Sequence, residues 1–216
     1  MKKIIKKIVF TLIDKQQFYK YRRLLIKFLS FKKDIITQLN IVSYGNKNSD
    51  TFFGYYDISP FQDNKLIYIS VNKEDKEANI IVRDMEKDKE INIGKTMAWN
   101  WQQGSRLRWV PNKPNCIMYN DFEDNQYITK FTNITNGDFE RLQWPLYDID
   151  SKGRFGLTLD FLRLGIMRPG YGYTNLPYNE PKSLNDEGIS IIDIVNKTSK
   201  KIITYEVISE VMKQIK

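Results

Sequence analysis

This 216-residue sequence contains no histidine and a single cysteine, Cys116. The first absence removes the commonest general base near neutral pH and the commonest transition-metal ligand. The second excludes an internal disulfide and a thiolate zinc cluster, and a reducing compartment is the simplest setting for such a chain. Any chemistry here must use carboxylates, Arg, Lys, Tyr or main chain. Long apolar runs are missing too. The run ahead of Asp14, IVFTLI, is short and no small-residue cleavage site follows it, so a cleaved signal peptide is not expected. Nowhere does the chain reach the roughly twenty consecutive apolar residues that a spanning helix requires.

Positive charge is present but confined. The formal charge is +8, yet residues 1–33 alone carry eleven Lys/Arg against one acidic residue, Asp14. The rest of the chain holds 23 basic and 25 acidic residues, so a phosphate-tracking groove through the body is disfavoured and no nucleic-acid partner is expected. Within the leader, Ile4, Ile5, Ile8, Val9, Leu12 and Ile13 recur at helical spacing among lysines. Tyr21, Leu24, Leu25, Phe28 and Leu29 do the same beside Arg22, Arg23 and Lys27. Residues 1–33 therefore read as a basic amphipathic α-helical leader. It suits an anionic membrane surface, apolar side chains in the interface and lysines toward headgroups, and it equally suits packing on the body. A cytoplasmic protein, peripheral at the inner membrane face, is the expectation.

From residue 34 to 216 the period becomes strand-like, and the aromatic content of 13% suits strands. ITQLNIVSYG, TFFGYYDISPF, KLIYISVN (65–72), NIIVRDM (79–85) and INIGKTMAW (91–99) follow one another across polar turns. The order then recurs. Pro60 is followed six residues later by LIYIS, and Pro111, 51 residues on, is followed six residues later by IMYND. QYITKFTNI (126–134) follows the second of these as NIIVRD follows the first. A third unit begins at LYDIDSKGRFGLTLDF (146–161), with a turn at Ser151–Gly153 and later strands ISIIDIV (189–195) and KIITYEV (201–207). Units of about 40–50 residues, each a small antiparallel sheet, predict an all-β fold, a partial β-propeller of about three four-stranded antiparallel blades. A β-sandwich with coincidental turn spacing fits the same strands. Because propellers close with about 4–8 blades, a shortened chain is expected, and the open edge of its last blade invites self-association. ISEVMKQIK reads as a helical tail.

The segments that open, join and interrupt these units are the unusual ones: FFGYYDISP (52–60), AWNWQQGSRLRW (98–109) and FLRLGIMRPGYGY (161–173). Converging at one mouth, they would form an aromatic and cationic pocket. Aromatic faces stack on sugar rings, Asn, Gln and Asp address hydroxyls, and Arg forks onto carboxylates, so an acidic oligo- or polysaccharide is the expected partner. The candidate binding residues are Tyr55, Tyr56, Asp57, Trp99, Trp101, Gln102, Gln103, Arg106, Arg163, Arg168, Tyr171 and Tyr173. Packing between sheets explains each tryptophan singly as well as ligand binding does, and Trp109 and Trp144 at strand ends read as structural. Asp57 also reads as a turn residue ahead of Ser59-Pro60. RPGYGY is too rich in glycine for a helix and reads as a shaped loop.

The ordered set FFGYYDISP, WNWQQGSRLRW, MYND and RPGYGY, over roughly residues 50–175, resembles the N-terminal half of the oligogalacturonate-lyase-like, WD40/TolB-like β-propeller proteins. These include members that accompany bacterial surface-polysaccharide genes. The resemblance implies a propeller with a saccharide-binding face. In the lyase branch it implies a divalent metal held mainly by histidines together with a glutamine, and β-elimination from a uronate. Gln102 or Gln103 would correspond to that glutamine, and Arg163 or Arg168 would neutralise a uronate carboxylate. With no histidine the metal site is incomplete. The expected cofactor is therefore none in this chain, a divalent metal being compatible only with a longer form. A saccharide binder follows, with the first half of a polysaccharide lyase-like enzyme and a protein-interaction scaffold as alternatives.

Overall fold

The structure is a computed structural model that describes residues 48–72, 75–177 and 183–215, all within one unit, Tyr44–Lys216. The leader at 1–33 and the strand expected at ITQLNIVSYG lie outside the described residues. What is described is mostly β, in three antiparallel sheets.

The first sheet contains β1 (Ser49–Phe52), β2 (Phe61–Gln62), β3 (Lys65–Asn72), β4 (Ala78–Asp84) and β5 (Lys89–Thr96), with both β1 and β2 paired to β3. The second runs β6 (Arg108–Trp109), β7 (Cys116–Glu123), β8 (Gln126–Asn133) and β9 (Phe139–Leu142). The third runs β10 (Asp148–Ile149), β11 (Phe155–Thr158), β12 (Gly188–Asp193) and β13 (Thr198–Thr204). β3 and β7 begin 51 residues apart, at Lys65 and Cys116, the spacing of the two prolines. The β7–β8 hairpin turns on Asp124 and Asn125, both at positive φ (48° and 61°), as a tight turn matching strand twist demands.

Two-residue periodicity builds the cores. Ile67, Ile69 and Val71 of β3 and Ala78, Ile80 and Val82 of β4 pack against Leu107, Ile117 and Tyr119. Met118, between two of these on β7, faces the other way and joins Val110, Phe131 and Leu142 against Leu146, Ile149, Ile192 and Ile194. The second sheet is thus buried on both faces, and β7 serves two cores through alternate side chains. Trp109 donates from Nε1 to the Pro60 carbonyl at 3.0 Å, and Trp144 packs on the second core, so both are structural.

Three details depart from the expected pattern. Residues 205–207, read as the end of strand KIITYEV, begin helix α2 (Tyr205–Gln214), because the Thr204 side chain caps it by accepting from Val207 N at 3.3 Å. The interruption after β11 is a short helix, α1 (Phe161–Met167), capped by Asp160, which accepts from Arg163 N at 2.8 Å. β9 has no counterpart among the expected strands. Neither described helix is long and apolar enough to cross a membrane.

Candidate functional site

Three loops from distant parts of the sequence meet at the junction of the sheets. The loop after β1 and the loop after β5 approach backbone to backbone. At Gly54 (φ 148°) a Cβ would stand 2.9 Å from the Gln103 carbonyl oxygen, and at Gly104 (φ 58°) one would stand 2.8 Å from the Phe53 carbonyl oxygen. Only glycine permits both the positive φ and the contact. Asn100 organises the second loop: its Oδ1 accepts from Gln102 N (3.0 Å) and Gln103 N (2.8 Å), and its Nδ2 donates to the Gly172 carbonyl at 3.2 Å, tying in the third.

On the solvent side this junction gathers aromatic rings. The Tyr55 ring lies 4.2 Å from Tyr56 and 6.0 Å from Tyr171, centroid to centroid. Hydrogen bonds with the Tyr56 and Tyr171 side chains push the Tyr55 hydroxyl above the usual tyrosine range. The Arg168 guanidinium sits 3.8 Å over the Tyr171 ring and makes no ion pair among the described residues. Gln102 reaches the same place, since a Cβ at Gly170 would stand 3.3 Å from its Cγ. Tyr56 is 87% exposed and Trp101 59%. Trp101 packs edge-on to Trp99 at 4.9 Å and tilted against Phe52 at 5.1 Å, while Trp99 is anchored by Nε1 donating to the Lys76 carbonyl at 2.8 Å. Tyr55, Tyr56, Trp101, Gln102, Arg168 and Tyr171 are therefore available to a ligand, and Trp99 supports them.

Other candidates lie beneath that surface. Tyr173 is buried, stacked on Phe161 at 4.6 Å, with its hydroxyl accepting from Asn120 Nδ2 at 3.0 Å. Burial pushes that hydroxyl up, away from ionisation. It is a packing residue, not a ligand-facing one. Gln103 is likewise buried, and its Nε2 donates to the Tyr147 hydroxyl at 3.0 Å. Arg106 is 1% exposed: Nε donates to the Tyr147 carbonyl at 2.7 Å, the guanidinium covers the Tyr147 ring at 4.4 Å, and Nη2 lies 3.4 Å from Asp57 Oδ2. Asp57, read as a turn residue, is thus also the partner of a buried cation. Sequence reasoning missed Tyr147, which ties these residues together, and Asn120, whose buried amide holds the Tyr173 hydroxyl. A polar residue inside the apolar run of β7 was the available signal for the latter.

Arg163 is not part of the junction. On α1 it pairs through Nη1 with Glu187 Oε2 at 2.5 Å and lies 5.1 Å from the Tyr205 ring. It borders a cavity of about 720 Å³ whose wall includes Tyr127, Trp144, Leu159, Phe161, Leu162 and Lys201. Arg163 and Glu187 pair with each other there, and Lys201 Nζ donates to the Asp186 carbonyl at 2.6 Å. Three of the buried polar atoms without a hydrogen-bond partner among the described residues belong instead to the junction: Gln103 Oε1, Ser105 Oγ and Arg106 Nη1.

The residues present do not fit a histidine-held divalent metal. Gln103 is engaged by Tyr147, Gln102 stands on the rim, and no imidazole exists in the chain. Among the described residues no three His, Cys, Asp or Glu side chains are gathered as a metal site.

No protein-family model matches the chain, and neither does any curated protein. Among solved structures it is similar to the apo form of AtxE2 isopeptidase, with a TM-score of 0.41 and 9% identity, over 75% of this chain and 31% of that one. The chain thus spans less than a third of that protein's length.

Proposed function

We propose that this chain is a saccharide-binding protein of bacterial surface-polysaccharide metabolism, its three sheets being blades of a partial β-propeller and its ligand an acidic oligo- or polysaccharide. The observation that carries the reading is the meeting of Tyr55, Tyr56, Tyr171, Gln102 and Arg168 on one exposed surface. Exposed aromatic rings there offer faces for sugar rings, and a guanidinium held 3.8 Å over the Tyr171 ring offers a fork to a carboxylate with no anion paired to it among the described residues. Side chains already stacked on one another lose little rotamer freedom when a ligand binds.

Isothermal titration with oligogalacturonate, and with neutral dextran as control, tests this. Tyr56→Ala and Arg168→Ala should each weaken oligogalacturonate binding by about tenfold, the scale of one anchoring contact. Equal affinity for the neutral glycan, or no affinity for either, would remove the reading.

A further inference from the structure

The buried arginine beneath the aromatic surface is poorly matched by its own protein. Taking a guanidinium out of water is costly unless its N–H groups all find acceptors and its charge a close partner. Arg106 meets neither condition. Charge-assisted N–H···O bonds typically span about 2.7–2.9 Å and guanidinium–carboxylate pairs are frequently bidentate. Here a single contact of 3.4 Å joins Nη2 to Asp57 Oδ2, and Nη1, also buried, has no hydrogen-bond partner among the described residues. The Asp57 side chain is 45% exposed on its loop, so it approaches the cation from the solvent side. The neighbouring Gln103 Oε1 and Ser105 Oγ are likewise buried without partners among the described residues. Arg106 itself sits at φ 55°, a left-handed conformation that is uncommon and mildly strained for a residue other than glycine. Strain, an orphaned donor and a half-made ion pair thus coincide on one residue.

We propose that Arg106 is a carboxylate-binding site occupied by Asp57 as an internal stand-in, and that a ligand's carboxylate takes the place of Asp57. The incoming group makes two parallel bonds to Nη1 and Nη2, and the Asp57 carboxylate moves out into water, where it is already half exposed. No covalent bond is made or broken. The exchange satisfies the orphaned donor and keeps the buried charge neutralised throughout. The identification of the ligand as an acidic sugar rests on the preceding functional reading; the Arg106 site itself does not. Asp57 then acts as a built-in competitor: affinity for the ligand is lowered by the fraction of time Asp57 occupies the fork.

Chemical rescue tests this. Asp57→Ala should lower the melting temperature, and sodium acetate should restore it where sodium chloride at equal ionic strength does not. The double variant Asp57→Ala/Arg106→Met should show no acetate-specific rescue. Should Asp57→Ala fail to fold, Asp57→Asn serves instead: it removes the competing charge while keeping the shape, and its affinity for acetate and for galacturonate should exceed that of the unmodified protein by about tenfold. Acetate rescue without any galacturonate binding would uphold the Arg106 site and remove the saccharide reading. Galacturonate binding that is indifferent to Asp57, with acetate no better than chloride, would overturn the Arg106 site and leave the saccharide reading standing.

Discussion

Asn120 is fully buried, yet both ends of its amide are used. Nδ2 donates to the Leu146 carbonyl (2.9 Å) and the Tyr173 hydroxyl (3.0 Å), while Oδ1 accepts from Thr129 Oγ1 (2.8 Å) and Leu146 N (2.9 Å). Its backbone is equally committed, N to the Ser105 carbonyl at 2.7 Å and O to Thr96 Oγ1 at 2.7 Å. One side chain therefore joins β7 and β8 to the β9–β10 connection and to the loop bearing Tyr173. Removing it leaves several buried groups unsatisfied, each costing about 1–3 kcal/mol. Asn120→Leu should lower the unfolding free energy by at least about 3 kcal/mol in urea titration. A loss below about 0.5 kcal/mol, the range of an ordinary surface change, would contradict this network. MYND was visible as a motif in the sequence. What the amide does was not, because its partners lie at positions 129, 146 and 173 and only the fold brings them together. The same holds for Arg106, whose charge suggested a ligand but whose burial depends on Tyr147 and Asp57.

At the scale of elements, an aspartate at a strand end recurs as the organiser of a turn. Asp84 accepts from Glu86 N and Lys87 N, Asp193 from Val195 N and Asn196 N, and Asp150 from Arg154 N (2.7 Å) and Phe155 N (2.8 Å). These backbone donors hold all three carboxyls below the ordinary aspartate range. A depressed folded-state pKa means that the stabilisation is fully present above the unfolded value, near 4, and is lost as pH falls through the lower folded value. Asp150 matters most to its hairpin, because β10 pairs with β11 through only two residues. Asp150→Asn should therefore reduce stability at pH 6 and flatten the decline between about pH 5 and 3, read from urea midpoints at each pH. An acid limb as steep as that of the unmodified protein would discount the Asp150 contribution. Such turns were legible because Asp at the end of an alternating run is itself a turn signal. β9 was not, since FERL is short and largely exposed and carries no alternation. The capped helices could have been found from Thr204 and Asp160, but Ile202 and Ile203 ahead of the first and the Leu- and Phe-rich stretch around the second masked the caps.

For the body as a whole, the 51-residue repeat places segments 52–57 and 98–106 ahead of the matching strands β3 and β7, and segment 168–173, from the β11–β12 connection, meets them. The same repeat makes the second sheet the shared wall of two cores. Ile117 belongs to the core facing the first sheet and Met118, its neighbour on β7, to the core facing the third. Neither core can be opened without exposing one face of β7, so the sheets should not unfold separately. The tryptophans report on the two sides independently, Trp99 and Trp109 packing on the first core and Trp144 on the second. Urea unfolding followed by fluorescence in the unmodified protein and in Trp144→Phe, and by far-ultraviolet circular dichroism in both, should give transitions that coincide within each protein. Ile117→Ala and Met118→Ala, although on opposite faces, should each displace that single transition by about 2–5 kcal/mol, as expected for emptying a buried aliphatic site. Two resolved transitions, one moved only by Ile117→Ala and the other only by Met118→Ala, would show that the sheets are independent units and that β7 does not couple them.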